Sequence, residues 1–219
     1  MKKFSLNYIK REPLKKTAGK APLMLLLHGY GSNEEDLFGF ADELPEECFV
    51  ISARAPLTMQ PYGNAWYTIH WDATDGKWSD DAEAVKAREQ ISSFIDEAVE
   101  AYDLDAKNVT LLGFSQGTIL SYAVALTYPK KVKNLIALSG YINEAITKPV
   151  SDLSLYNDLN VFCSHGTQDP VIPIAGARMS IDVLDKLNIK AKLREYPVGH
   201  GVAPQNFQDL KVWIKEIGL

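Results

Sequence analysis

The chain has 219 residues, 46% of them apolar and 23% charged, with a formal net charge of −5 at pH 7. This length and balance fit one α/β domain with a full core, and residues 1–219 are read as that single domain. The acidic balance leaves no footprint for nucleic acid or an anionic membrane, no apolar run approaches the ~20 residues of a membrane span, and no signal-peptide apolar region follows the basic N-terminus.

These features predict a cytoplasmic protein with no nucleic-acid partner and no membrane span. The sequence is compatible with a homodimer. Cys48 and Cys163 fall in predicted buried strands, where cysteine serves as a small apolar residue. Two cysteines without framework spacing argue against a disulfide scaffold and against a zinc site.

Residues 4 to 9 alternate in the manner of an antiparallel edge strand. Pro22 to Leu27 is a continuous apolar run, the pattern of a strand covered on both faces. The loop His28-Gly29-Tyr30-Gly31-Ser32 follows it, and Asn33 to Leu44 then carries apolar residues at helical spacing. Glycines between a strand and a helix let backbone N–H groups point into a cleft, where they can receive an oxyanion. Cys48 to Ala53 is the next strand. Arg54 to Asp80 is the least regular stretch, with Trp66, Tyr67, Trp71 and Trp78 among prolines and glycines. A loop this long is often functional. Two readings of its tryptophans stand side by side: packing anchors, or an aromatic wall for the acyl or alcohol part of a substrate, with Trp66 and Trp71 as substrate-binding residues.

Glu83 to Tyr102 reads as a long amphipathic helix, and its acidic start suits the helix dipole. Strand 108–113 leads into Gly113-Phe114-Ser115-Gln116-Gly117 and a helix over 116–127. Val132 to Ser139 is a further strand, Gly140 to Asn160 a linker too short for a large cap. Val161 to His165 is a strand feeding the loop Gly166-Thr167-Gln168-Asp169-Pro170. A helix over 173–187, a strand over 191–196, the loop Pro197 to Gly201 and a closing helix over 204–217 complete the chain. Strand and helix alternate almost throughout, which predicts a mostly parallel central sheet with helices on both faces.

A serine between two glycines at a strand-to-helix junction is a nucleophile elbow, whose tight turn points the hydroxyl out of the sheet edge. Ligands in such sheets bind beyond the carboxyl ends of the strands. Ser115, Asp169 and His200 all fall at that edge, in the order nucleophile, acid, base of an α/β-hydrolase triad. Ser115 is a weak nucleophile until a base takes its proton. His200 is that base, and Asp169 would hold its tautomer and stabilise the imidazolium. Taken singly, Asp169 before Pro170 is an ordinary turn former and His200 between glycines an ordinary loop histidine. All three at successive strand ends are hard to obtain by chance. His28, His70 and His165 do not fit as the base; His28 reads as a shaping residue of its glycine loop.

Leu27-His28-Gly29-Tyr30-Gly31, Gly113-Phe114-Ser115-Gln116-Gly117, His165 through Pro173 (HGTQDPVIP) and Gly199-His200-Gly201 together resemble the phospholipase/carboxylesterase family of α/β-hydrolases. That family includes acyl-protein thioesterases and small bacterial carboxylesterases. The resemblance implies the α/β-hydrolase fold without a large cap domain, with Ser115 as nucleophile, Asp169 as acid and His200 as base. It also implies that the backbone N–H groups of Tyr30 and Gln116 form the oxyanion hole, and that no metal or organic cofactor is required. Tyr30 departs from the leucine of many relatives, which changes the pocket wall and leaves the backbone donor in place.

The function so implied is a serine hydrolase acting on a small-molecule ester through an acyl-enzyme, with acyl chains of small to medium length. An acyl thioesterase or lysophospholipase would use the same triad. From another class, a ligand-binding protein retaining the hydrolase fold with slow turnover is the rival. No added propeller or large cap is present to select peptides.

Overall fold

The computed structural model describes residues 4–72 and 76–219, with side chains described for all of these except 71, 72, 76 and 77. The apolar run Pro22–Leu27 is strand β2, following β1 (Tyr8–Arg11), and every one of its residues is buried. Burial on both faces is what an unbroken apolar run requires. Alternate side chains divide between two cores, as period-2 geometry dictates. Leu23, Leu25 and Leu27 join one apolar cluster, while Met24 and Leu26 join the other.

The sheet is completed by β3 (Phe49–Ala53), β8 (Asp105–Phe114), β9 (Asn134–Leu138), β10 (Asn160–Gly166) and β11 (Leu193–Tyr196). Its order is β1-β3-β2-β8-β9-β10-β11, with β1 antiparallel to β3 and the other pairings parallel. Helix α2 (Asp81–Tyr102), helix α3 (Gln116–Thr127) and helix α4 (Ile174–Lys186) contribute Phe94, Leu120 and Leu184 to the first core. Short α1 (Glu35–Phe38) and α5 (Pro204–Glu216) contribute Leu37, Leu210 and Ile214 to the second. Helices therefore cover both faces, as the alternating sequence predicts. Asp80 caps α2 by accepting the Glu83 N–H at 2.9 Å, which fixes where that helix begins.

Three expectations are redrawn. The edge strand begins four residues later than the alternation suggests. The segment predicted helical over 33–44 is only α1 followed by a 3₁₀ turn at Ala41–Glu43, because the chain turns at Gly39 and Phe40. Buried Arg11 secures that turn, its guanidinium donating to the carbonyls of Ala41, Leu44, Pro45 and Cys48. The irregular stretch 54–80 holds two small antiparallel ladders, β4 (Leu57–Thr58) with β5 (Asn64–Ala65), and β6 (Ile69–Asp72) with β7 (Gly76–Ser79).

Both cysteines are free and buried, and burial pushes the Cys48 thiol up to about 12 and that of Cys163 to about 11. Cys48 packs as a small apolar residue, while the Cys163 sulfur also lies 3.0 Å from the buried Tyr122 hydroxyl. Among the described residues no helix is long and apolar enough to cross a membrane.

Candidate active site

From β2 the chain moves outward to β3, then returns to the other side of β2 to form β8. The reversal opens a crevice between the carboxyl ends of β2 and β8, where ligands of open α/β sheets bind. Leu27 and Gly113 are paired at that edge, so the glycine loop after β2 and the serine elbow after β8 face one another.

The elbow is tight for a steric reason. A Cβ on Gly117 would stand 1.9 Å from the Leu27 carbonyl oxygen, and one on Gly113 would stand 2.5 Å from the Gly117 oxygen. Ser115 itself has φ 54° and ψ −116°, a conformation costing a non-glycine residue on the order of 1–3 kcal/mol. The surroundings hold it there. Its N–H donates to the Leu138 carbonyl at 3.0 Å, and the buried Thr118 hydroxyl lies 2.7 Å from the Gly113 carbonyl and 2.6 Å from that of Leu138.

Ser115 Oγ lies 2.9 Å from His200 Nε2, and His200 Nδ1 lies 2.7 Å from Asp169 Oδ2. The three predicted residues therefore form one unbroken hydrogen-bonded chain. The other oxygen of Asp169 accepts the N–H groups of Val171 at 2.8 Å and Ile172 at 2.9 Å. Burial would raise the Asp169 carboxyl. The His200 bond and the two N–H groups outweigh it and hold the group below the usual aspartate value. An ionised Asp169 accepts the Nδ1 proton and leaves Nε2 free to accept from Ser115.

His165, which does not fit as the base on sequence grounds, stands behind the acid as a hydrogen-bonded structural residue. It is wholly buried, its Nε2 lies 2.8 Å from the Ile172 carbonyl and 3.3 Å from Asp169 Oδ2, and its Nδ1 has no partner among the described residues. Its place at the mouth of the acid loop was the only signal. His28 shapes the glycine loop as expected: Nε2 accepts the Ala55 N–H at 3.0 Å and Nδ1 lies 2.7 Å from the Gly29 carbonyl. Burial lowers its pKa and keeps it neutral.

Tyr30 and Gln116 line the same cavity as Ser115 and His200, together with Tyr67, Ile69, Ser79, Ile119, Tyr141, Val171 and Ile172. The Gln116 N–H opens α3 and so belongs to the helix's unpaired first turn. The Gln116 side chain has a separate task. Its Oε1 accepts the Trp66 N–H at 2.9 Å and its Nε2 donates to the Tyr67 carbonyl at 2.8 Å.

Trp66 is not on the cavity wall. It is 1% exposed, inside the first core, and its indole N–H donates to the His28 carbonyl at 2.9 Å. A large ring with one polar atom is most stable where that atom is paired and the rest is buried. The side chain of Trp71 lies outside the described residues. Among the described residues of the irregular stretch, those that reach the cavity are Tyr67, Ile69 and Ser79. A larger concavity of about 670 Å³ at the amino ends of the strands, lined by Lys107, Lys130, Lys131 and Lys133, includes none of these groups.

The sequence profile of the phospholipase/carboxylesterase family matches residues 14–217. The chain belongs to that family. An acyl-protein thioesterase 1 from Cryptococcus neoformans is 29% identical over 242 residues, covering 97% of this chain and 98% of the relative. A probable carboxylesterase, SOBER1-like, from Arabidopsis thaliana is 27% identical over 156 residues, covering 69% of this chain and 58% of the relative. Among solved structures, esterase PE8 superposes with a TM-score of 0.79 at 25% identity, covering 97% of this chain and 99% of that one. The Bacillus cereus carboxylesterase gives 0.81 at 20% identity, covering 97% and 94%. At that identity the likeness speaks for the α/β-hydrolase fold.

Proposed function

We propose that this protein is a serine hydrolase of carboxylic esters with small to medium acyl chains, built as one α/β-hydrolase domain. The observation that carries the reading is the hydrogen-bonded chain from Ser115 Oγ through His200 to Asp169. Ser115 attacks the ester carbonyl while His200 Nε2 takes its proton, and the Tyr30 and Gln116 N–H groups receive the oxyanion. The tetrahedral intermediate collapses, the C–O bond breaks and His200 returns the proton to the departing alcohol. Water then adds to the acyl-enzyme with His200 as base, and the acid leaves with Ser115 regenerated. The scheme uses no metal or organic cofactor. Each oxyanion donor is worth on the order of 10²–10³ in rate.

Thioesters are a second reading, favoured by the acyl-protein thioesterase that matches 97% of the chain. They follow the same route with a thiol as leaving group. The test compares wild type with Ser115→Ala on p-nitrophenyl acetate, butyrate and octanoate and on an acyl thioester. Turnover should fall on the order of 10⁴–10⁶ in the variant on every ester. Equal turnover by the two proteins would remove Ser115 from the chemistry.

A further inference from the structure

The catalytic cavity has a neighbour that shares part of its lining. The first encloses about 220 Å³. The second is a concavity of about 330 Å³, more open to solvent, lined by Trp78, Ser79, Tyr141, Val171, Ile172, Pro173 and Gly176. Both are bounded by Ser79, Tyr141, Val171 and Ile172. Alone, the catalytic cavity is smaller than the roughly 300–1,000 Å³ typical of a small-molecule site, whereas the two joined would fall within that range.

The four shared residues differ in what they can yield. Ser79 is small. Val171 is about half exposed and leaves its side of the boundary open to solvent. Ile172 is fixed through its backbone, its N–H on Asp169 and its carbonyl against His165. Tyr141 is the bulk of the wall.

Two contacts anchor the segment that carries Tyr141 to α4. It lies against the backbone of Gly176, where an added Cβ would come 3.3 Å from Tyr141 Cβ and 3.5 Å from Cγ. The next residue is tied to α4, the Ile142 N–H donating to Ser180 Oγ at 2.8 Å.

We propose that Tyr141 is a partition that ends the acyl site, so that the protein selects esters of short acyl chains and its second cavity is withheld from them. The proposal rests on the esterase reading above and adds the residue that sets chain length. Removing the ring would let a longer chain cross into the second cavity, against Ile172, Pro173 and Trp78. Each additional methylene taken from water is worth about fourfold in affinity.

The experiment measures kcat/KM for p-nitrophenyl butyrate and octanoate in wild type, Tyr141→Ala, Tyr141→Leu and Tyr141→Phe. The octanoate-to-butyrate ratio should rise on the order of tenfold or more in Tyr141→Ala. It should rise less in Tyr141→Leu and hold at the wild-type value in Tyr141→Phe, which keeps the ring. A ratio cancels any loss of folded enzyme, and Tyr141→Leu serves if the alanine variant does not fold. An unchanged ratio in both smaller variants overturns the partition, and so does a rise in Tyr141→Phe, which would assign the effect to the hydroxyl. The esterase reading fails separately, through undiminished turnover in Ser115→Ala.

Discussion

At Gly117 the fold leaves no room for a methyl group, since the Leu27 carbonyl oxygen occupies the place at 1.9 Å. That oxygen sits at the end of β2, immediately before the loop that holds His28 and Tyr30. Gly117→Ala should therefore do two things: destabilise by about 1–3 kcal/mol or more, and lower kcat by pushing the glycine loop from its place. Urea midpoints and steady-state rates read them separately. A variant with wild-type values for both would contradict the close approach. The glycine pattern and the order of Ser115, Asp169 and His200 were legible because an elbow and a triad need particular residue types at particular strand ends. The Gln116 and His165 side chains were not, since each is bonded to backbone groups of another segment, Trp66 and Ile172 among them. Any residue type supplies a carbonyl or an N–H, so sequence carries no mark of it.

Among the elements, the stretch from Arg54 to Asp80 is a buttress for the glycine loop. Gly31 N–H donates to the Asn64 carbonyl at 2.9 Å, and Asn64 N–H donates to the Ser32 carbonyl at 2.7 Å. Gly63 makes this closeness possible, with φ +88° and its missing Cβ only 2.1 Å from the Gly31 oxygen. The indole of Trp66 holds the His28 carbonyl from the same stretch. Trp66→Phe removes that bond and little volume. We expect kcat to fall about tenfold on acetate, butyrate and octanoate alike, because a loop displaced by a fraction of an ångström misplaces the oxyanion donor for every acyl group. A change confined to the longest chain would return Trp66 to the substrate wall. Sequence reading saw the aromatic content here and missed the ladders. Strands of two to four residues are too short to display a period of two.

For the whole molecule, the charge on Asp169 couples the site to stability. Its pKa in the folded chain lies below the unfolded value near 3.9, with burial opposed and outweighed by His200 and the two N–H groups. The folded state thus binds this proton more weakly than the unfolded chain does. The contribution is complete above about pH 4 and is lost as pH falls through the folded value. Denaturant titrations of wild type and Asp169→Asn should show a stability gap at pH 7 that narrows toward pH 3; a gap that stays constant would count against the ionised pair. The same substitution should lower kcat by about 10⁴ at neutral pH, since a neutral amide in place of the carboxylate would orient the wrong His200 tautomer.

The sequence by itself determined the alternation of strands and helices, the buried β2 run, the elbow and the triad order. These follow from local rules: side-chain period, glycine sterics and the chain order of strand ends. Tertiary structure alone decided that Trp66 supports the glycine loop from behind, that Tyr67 and Ser79 reach the cavity, and that Tyr141 lines two cavities. Tyr67, Ser79 and Tyr141 come from segments far apart in the chain. What they enclose depends on how β6, β7, α4 and the ends of the sheet pack in three dimensions, where no periodicity along one segment can record it.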